Sequence, residues 1–471
     1  MKTSLKIFFF LILSLSQISA QKEILGYWSG KLKMLSIELD FQIKVSKSNK
    51  SLDGFISIPS QKVSEYKLPV FTYKKNQVHF EMPSSAGTAK FDGKLKADSI
   101  KGTLLQAGMK GTFYLVRTDQ PIKEEKVEVQ KKEPLPYSEE DIAFKNGRIL
   151  LAGTLTTPKT EGNYPAVILL TGNGPQDRDE DIFGFKIFQI IADYLTKNGF
   201  AVLRYDDRGV GGSTGNSMQS TTEDFANDAL AAIDFLKKQK SIDKTKIGLL
   251  GHSEGAQIAE LSAVSSKDVS FIVLLSGNGV DGGKALIEQQ KLILKASGFT
   301  DSLITQNLEL QYKINNALSN DIDLNNIRKD IRAFAEKDYA GLSKDVKNSI
   351  QDKETYLNSN VQSQINIFNN PWFRYYVKYD PIPTLEKIKI PVLMLFGELD
   401  LQFPPSLNKQ KMEDALVKAG NKNFKSVVLP KANHLYQEAK IGSPSEYSEL
   451  KKEFVPGFLE TIGNWISGIV K

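Results

Sequence analysis

Two different rhythms of apolar and polar residues divide the chain. Between residues 21 and 118 the two kinds alternate one by one, as in Ile37-Glu38-Leu39-Asp40-Phe41-Gln42-Ile43, Gln77-Val78-His79-Phe80-Glu81 and Gly111-Thr112-Phe113-Tyr114-Leu115-Val116. A period of two sends successive side chains to opposite faces of a strand. Glycines and clusters of Ser, Asn and Lys punctuate the runs, so this region reads as a small antiparallel all-β domain, a barrel or curled sheet. Residues 119–137 (DQPIKEEKVEVQKKEPLPY) are charged and proline-containing, with no sustained apolar period, and read as a linker.

From residue 138 the rhythm changes. Residues 141–157 read as a hairpin turning at Asn146-Gly147. Short continuous apolar runs follow at 166–170, 201–205, 247–250, 271–275, 392–396 and 426–429. Such runs suit strands covered on both faces of a parallel sheet. Helical patterns lie between them; residues 222–237, for example, carry apolar side chains at 225, 226, 229, 230, 233 and 236. The alternation predicts a doubly wound α/β fold with a mostly parallel sheet, its two parts at 138–278 and 376–471. Between them, residues 279–375 are polar and helix-like, and too long for a structureless loop. They read as a helical cap inserted over the carboxyl edge of the sheet.

Composition narrows the functional classes. The chain has 471 residues, 41% of them hydrophobic and 10% aromatic, enough for two or three packed domains. Residues 1–20 combine Lys2 and Lys6, an apolar run from Ile7 to Leu15 and a small-residue end at Ile18-Ser19-Ala20. This pattern reads as a secretory signal peptide, and predicts export to a periplasmic or extracellular location without stable membrane insertion after cleavage. The apolar run is too short to span a bilayer as a finished helix. Cysteine is absent, which excludes disulfides, thiol nucleophiles, thiolate metal sites and a lipid anchor on Cys. Removing Lys2 and Lys6 with the leader lowers the formal charge from +6 to +4. No basic block interleaved with aromatics appears, so nucleic acid is not expected as a partner.

Gly251-His252-Ser253-Glu254-Gly255 stands between the apolar run 247–250 and a helical segment. It is a Gly-x-Ser-x-Gly pentapeptide in the strand–turn–helix context that gives the pattern meaning. A serine on so sharp a turn needs glycine two residues before and after to relieve crowding. The helix that starts behind it directs its N-terminal dipole at developing negative charge. A serine hydroxyl also needs a base. Of the three histidines, His79 lies in the all-β domain and His252 lies inside the turn, where its ring should diverge from the hydroxyl. Both read as structural. His434 follows the last expected strand and is the candidate base. Asp400, in Phe396-Gly397-Glu398-Leu399-Asp400, ends the strand before it and is the candidate acid, with Glu398 and Asp281 as alternatives. An oxyanion site would use the N–H of Glu254 together with an N–H from the loop Thr171-Gly172-Asn173-Gly174-Pro175-Gln176-Asp177-Arg178-Asp179, where Asn173 is the expected donor. That loop lacks a GxGxxG or Gly-Lys-Ser/Thr pattern, so it does not read as a nucleotide site.

With these motifs in the order Ser253, Asp400, His434, and with Asp206-Asp207-Arg208-Gly209-Val210-Gly211-Gly212-Ser213 after an intervening strand, the chain from about 140 to 471 resembles the α/β-hydrolase superfamily. In particular it resembles bacterial carboxylesterases with a GHSEGG-type turn, a GSGPxDRD-type loop and an extra N-terminal domain. Here Ala256 and Asn173 depart from that pattern, and Thr171 stands where many members have His. The DDRGVGGS turn reads as a brace, with Arg208 paired to a carboxylate. The resemblance implies ester hydrolysis through an acyl-enzyme on a small-molecule ester, with no cofactor or metal. A serine aminopeptidase or thioesterase on the same fold is one alternative, and a non-catalytic ligand-binding protein is another. The Glu254 side chain fits either a cation-binding role or a helix cap. Trp372 and Phe373 fit either an acyl pocket or packing. In the N-terminal domain, Gly26-Tyr27-Trp28-Ser29-Gly30 and the late Arg117 resemble the Gly-x-Trp start and terminal Arg of lipocalin-like barrels, where the Arg packs on the Trp. An ordinary Trp anchor reads equally well. The ligand or partner of this domain is left open between a lipid, a sugar and a protein chain.

Overall fold

The computed structural model describes residues 24–470, apart from 35–36, 49–51, 60–62, 84–87, 107–108, 120–134, 342–346 and 348–351. The leader and nearly all of the charged linker fall outside the described residues. The described chain forms two compact units, one from the first 131 residues with Asp330–Gln364, the other from Lys132–Lys329 with Ile365–Lys471. The segment 279–375, expected as one continuous cap, is therefore shared between the two units.

The first unit is built on a nine-stranded antiparallel sheet. Its strands are β1 (Gly26–Met34), β2 (Ile37–Lys47), β3 (Leu52–Ile58), β4 (Val63–Lys67), β5 (Val70–Lys74), β6 (Gln77–Met82), β7 (Ala89–Lys96), β8 (Ser99–Gln106) and β9 (Met109–Thr118). The order β4-β3-β2-β1-β9-β8-β7-β6-β5 is an up-and-down meander curled until β1 pairs with β9. The alternation seen in the sequence fills its inner face with rings: Phe80 stacks on Phe91 at 4.4 Å, and Phe113 meets Phe91 edge-on at 5.6 Å. Trp28 is fully buried, and its indole N–H donates to Ile24 O at 2.8 Å. The Arg117 guanidinium lies 4.2 Å over the Trp28 ring and donates to Leu25 O, which is the packing the lipocalin-like start implied. On the outer face His79 and Glu81 are buried as well, beside Tyr356 from the Asp330–Gln364 segment.

The second unit has an eight-stranded sheet. Its strands are β10 (Tyr137–Asn146), β11 (Ile149–Pro158), β12 (Tyr164–Leu170), β15 (Ala201–Tyr205), β16 (Ile242–His252), β17 (Phe271–Leu275), β18 (Val392–Gly397) and β19 (Phe424–Leu429); a two-residue pair, β13 (Asp181–Ile182) with β14 (Phe185–Lys186), stands apart. The spatial order is β10-β11-β15-β12-β16-β17-β18-β19, in which only the pairings of β11 are antiparallel. The first hairpin turns one residue later than expected. Asn146 pairs with Ile149 and the turn is Gly147-Arg148, because Gly147 supplies the positive φ of 56°.

Successive residues of β12 face opposite layers, so the run must be apolar throughout. Ala166, Ile168 and Leu170 pack toward the helices Thr222–Leu236, Glu254–Ser265 and Pro405–Lys418. Val167 and Leu169 pack toward Ile187–Lys197 and Phe458–Ile469. The chain runs from β12 outward to β15 and then crosses back to β16 on the other side. Such a switch point opens a crevice at the carboxyl ends of the strands, where ligands bind in this kind of sheet. Among the described residues no helix is long and apolar enough to cross a membrane.

Candidate active site

The carboxyl ends of β12, β16, β18 and β19 carry all of the predicted site residues. Ser253 directly follows β16, and its backbone takes φ 57° and ψ −116°. A non-glycine residue held there stores about 1–3 kcal/mol of strain. The turn is fixed from both sides: Ser253 N donates to Leu275 O at 2.9 Å, and Ala256 N donates to Ser253 O at 3.0 Å. The flanking glycines are required by space. A Cβ on Gly251 would lie 1.9 Å from Gly255 O, and one on Gly255 would lie 2.0 Å from Leu170 O. Both obstacles are backbone, so a side chain at either position forces the helix away from the sheet. The serine that results is 9% exposed, at the start of the helix Glu254–Ser265.

His434 and Asp400 are brought together. His434 Nδ1 lies 2.9 Å from Asp400 Oδ2. Asp400 Oδ1 accepts from the N–H groups of Gln402 and Phe403 at 2.8 and 2.9 Å. The carboxylate therefore accepts a hydrogen bond from Nδ1–H and leaves Nε2 as the basic nitrogen. Burial opposes ionisation of Asp400, yet the His434 charge and hydrogen bond and the Phe403 N–H hold its carboxyl below the usual range. The Phe403 ring stacks on His434 at 5.7 Å. The loop that carries His434 is braced by Asn433, whose Oδ1 accepts from Leu435 N and Gln437 N, and by the Tyr436 hydroxyl, which donates to Leu395 O. The alternative acids lie in other bonds. Glu398 accepts from Lys431 N, and Asp281 caps a helix by accepting from Lys284 N.

The loop after β12 approaches Ser253 closely. A Cβ on Gly172 would lie 3.3 Å from the Ser253 Cβ. Among the described residues the backbone N–H groups of Asn173 and Glu254 donate no hydrogen bond within the protein. Two carboxylates anchor the loop. Asp207 accepts from Thr171 Oγ1 at 2.7 Å and Gln176 N at 2.9 Å. Asp206 takes Arg178 in a fork at 3.0 and 2.8 Å. Arg208 grips Asp228 with Nε at 2.6 Å and Nη2 at 2.9 Å, the brace expected of the DDRGVGGS turn.

Glu254 turns inward. Its Oε1 accepts from Thr222 Oγ1 at 2.7 Å and from the Trp372 indole N–H at 2.6 Å. Burial pushes its carboxyl up to about 7, against the pull of these two bonds. Trp372 in turn stacks on Tyr376 at 4.9 Å. Packing and a specific bond thus share Trp372. Sequence reasoning missed Glu180, which is 1% exposed and lies one residue beyond the Asp179 that closes the quoted loop. Its Oε1 accepts from Gly172 N and faces His252 Nδ1, both at 2.9 Å. Nothing in the charged string Asp177-Arg178-Asp179-Glu180 marks one carboxylate as buried. Among the described residues no cluster of three or more His, Asp or Glu could hold a metal ion.

Known proteins support the same fold. A profile described as serine aminopeptidase, S33, matches residues 185–337. Esterase EstD of Thermotoga maritima is 27% identical over 339 residues, 71% of this chain and 68% of its own. Together with the strand order and the Ser253 turn, these similarities show an α/β-hydrolase fold. An acyl transferase of Photobacterium phosphoreum is 36% identical over 91 residues, 19% of this chain and 29% of the transferase. Among solved structures, an esterase of Pyrococcus furiosus aligns with a TM-score of 0.42 at 16% identity, covering 72% of this chain and 92% of its own. The second unit carries Ser253, Asp400 and His434 in that chain order, and the first unit is built on an antiparallel β sheet.

Proposed function

We propose that this α/β hydrolase is a serine carboxylesterase of small acyl esters, with Ser253 as nucleophile, His434 as base and Asp400 as the residue that orients it. The observation that carries the reading is the pairing of a strained Ser253 turn with the His434–Asp400 hydrogen bond at the same sheet edge. His434 Nε2 takes the proton of Ser253 as its hydroxyl oxygen attacks the ester carbonyl. Asp400 holds the Nδ1 proton and stabilises the imidazolium that forms. The tetrahedral oxyanion is received by the N–H groups of Glu254 and Asn173, at the positive end of the helix Glu254–Ser265. His434 then protonates the leaving alcohol, the acyl-enzyme forms, and a water molecule repeats the sequence to release the acid.

The aminopeptidase reading would use Glu254 to bind a substrate ammonium. Its Oε1 is already engaged by Thr222 and Trp372, and burial favours its neutral form, so esters are preferred over amino-terminal substrates. The basic start and apolar run of residues 1–20 support export of the enzyme. The test is hydrolysis of p-nitrophenyl esters from acetate to palmitate, with aminoacyl anilides in parallel. The reading expects turnover of the short esters. It fails if only the anilides are cleaved.

A further inference from the structure

His252 and Glu180 take no part in the steps above, yet the hydrogen bonds of the site converge on them. His252 Nε2 lies 2.9 Å from the backbone oxygen of His434. A carbonyl oxygen only accepts, so Nε2 carries a proton. His252 Nδ1 lies 2.9 Å from Glu180 Oε1, which also accepts from Gly172 N–H. A carboxylate oxygen there requires a proton on Nδ1 as well, and an imidazole with two N–H groups is a cation. Both side chains are nearly sealed from solvent, at 2% for His252 and 1% for Glu180. A buried carboxylate whose other oxygen, Oε2, has no hydrogen-bond partner among the described residues needs a charged partner to offset its desolvation.

We propose that Glu180 and His252 form a charged positioning pair that sets the oxyanion loop and the backbone of His434 in register with Ser253. The bonds run without a gap from Gly172 N–H to Glu180, to His252, to His434 C=O. Gly172 precedes the expected oxyanion donor Asn173, His252 precedes Ser253, and His434 is the base, so one pair touches all three parts of the machinery. The rings of His252 and His434 are 4.7 Å apart, which leaves no room for solvent between them. The other groups around His252 are Asp400 and the Tyr436 ring at 6.3 Å, and Asp207 faces Glu180 from the adjoining loop. Burial opposes the charge on His252, but Glu180 and the His434 carbonyl outweigh it and raise the ring above its ordinary value.

The inference rests on the esterase reading for its catalytic consequence, and its physical core is tested without turnover. The chain holds three histidines, so the imidazole signals of protein labelled with 15N-histidine can be assigned with His252→Gln. His252 should keep both ring protons through the ordinary histidine range in the wild type and lose one in Glu180→Gln. In ester hydrolysis, Glu180→Gln should lower kcat per titrated active site by roughly 10- to 100-fold, with KM within about threefold, since misplacement of reacting groups by up to about 1 Å has that effect. Active-site titration removes any misfolded fraction from the comparison. A wild-type His252 that titrates as an ordinary neutral ring would overturn the proposal, whether or not the variant folds or any ester is cleaved. So would unchanged kcat in both Glu180→Gln and His252→Gln. Loss of turnover in the wild type with His252 still doubly protonated would count against the esterase reading alone.

Discussion

Replacing Glu254 by glutamine should stabilise the hydrolase unit above neutral pH and leave it unchanged in acid. The carboxyl is buried and sits at about 7, against an ordinary value of 4.5. A group that binds its proton more tightly in the folded state makes stability fall as pH rises between those two values. The gap corresponds to about 3 kcal/mol, lost progressively from pH 4.5 to about 7. Glutamine has no charge to desolvate, and its oxygen still accepts from Thr222 and Trp372. The assay is urea denaturation at several pH values between about 5 and 8, comparing variant and parent. A Trp28→Phe background leaves only Trp372 and Trp465, both in the hydrolase unit, to report by fluorescence. All other titrations are common to the two proteins, so the difference isolates Glu254. The expected difference is about 1 kcal/mol at pH 5 and rises to about 3 kcal/mol at pH 8. A difference that stays constant across the range would refute the reasoning, as would a variant that is less stable at pH 8.

Other outcomes follow from the same geometry. Asp400→Asn should keep the fold and lower kcat by about 10⁴, because the amide no longer holds the Nδ1 proton of His434; single-turnover acylation measures it. Gly255→Ala drives a Cβ against Leu170 O and Thr171 O, and should cost at least about 1–3 kcal/mol in thermal unfolding together with most of the activity. Arg208→Met leaves the buried Asp228 carboxylate with Asn146 as its remaining side-chain donor and should destabilise the hydrolase unit by about 3–5 kcal/mol in denaturant. In the β unit, His79 is raised to about 9: burial works against its charge, but Asp92 and Glu81 outweigh it. Its stabilisation should be complete below the ordinary value of 6.5 and fade as pH rises through about 9, and His79→Gln should abolish that alkaline decline.

Much of this was legible in the sequence because strong local rules agreed. The apolar runs at 166–170 and 247–250 suit strands covered on both faces, and a Gly-x-Ser-x-Gly pentapeptide between strand and helix suits a sharp turn whose flanking positions have no space for a Cβ. His434 stood out as the candidate base because the other two histidines read as structural, and the structure places it beside Asp400. The inward turn of Glu254 was not legible, since either a solvated cap or a buried acceptor satisfies the same position. Glu180 was hidden in a string of charges, where burial depends on which backbone N–H groups the fold brings near. The division of 279–375 was hidden as well. Helical periodicity marks an apolar face, but Tyr356 meets His79 and Lys90 through contacts remote in sequence.

The central claim is that Ser253 is the nucleophile of an esterase. The most direct measurement is fluorophosphonate labelling of the enzyme, with peptide mapping of the modified residue and ester hydrolysis by Ser253→Ala alongside. The account predicts stoichiometric modification of Ser253, loss of hydrolysis in step with labelling, and a silent Ser253→Ala variant. Label on another residue, or a Ser253→Ala variant that hydrolyses short esters as well as its parent, would contradict it.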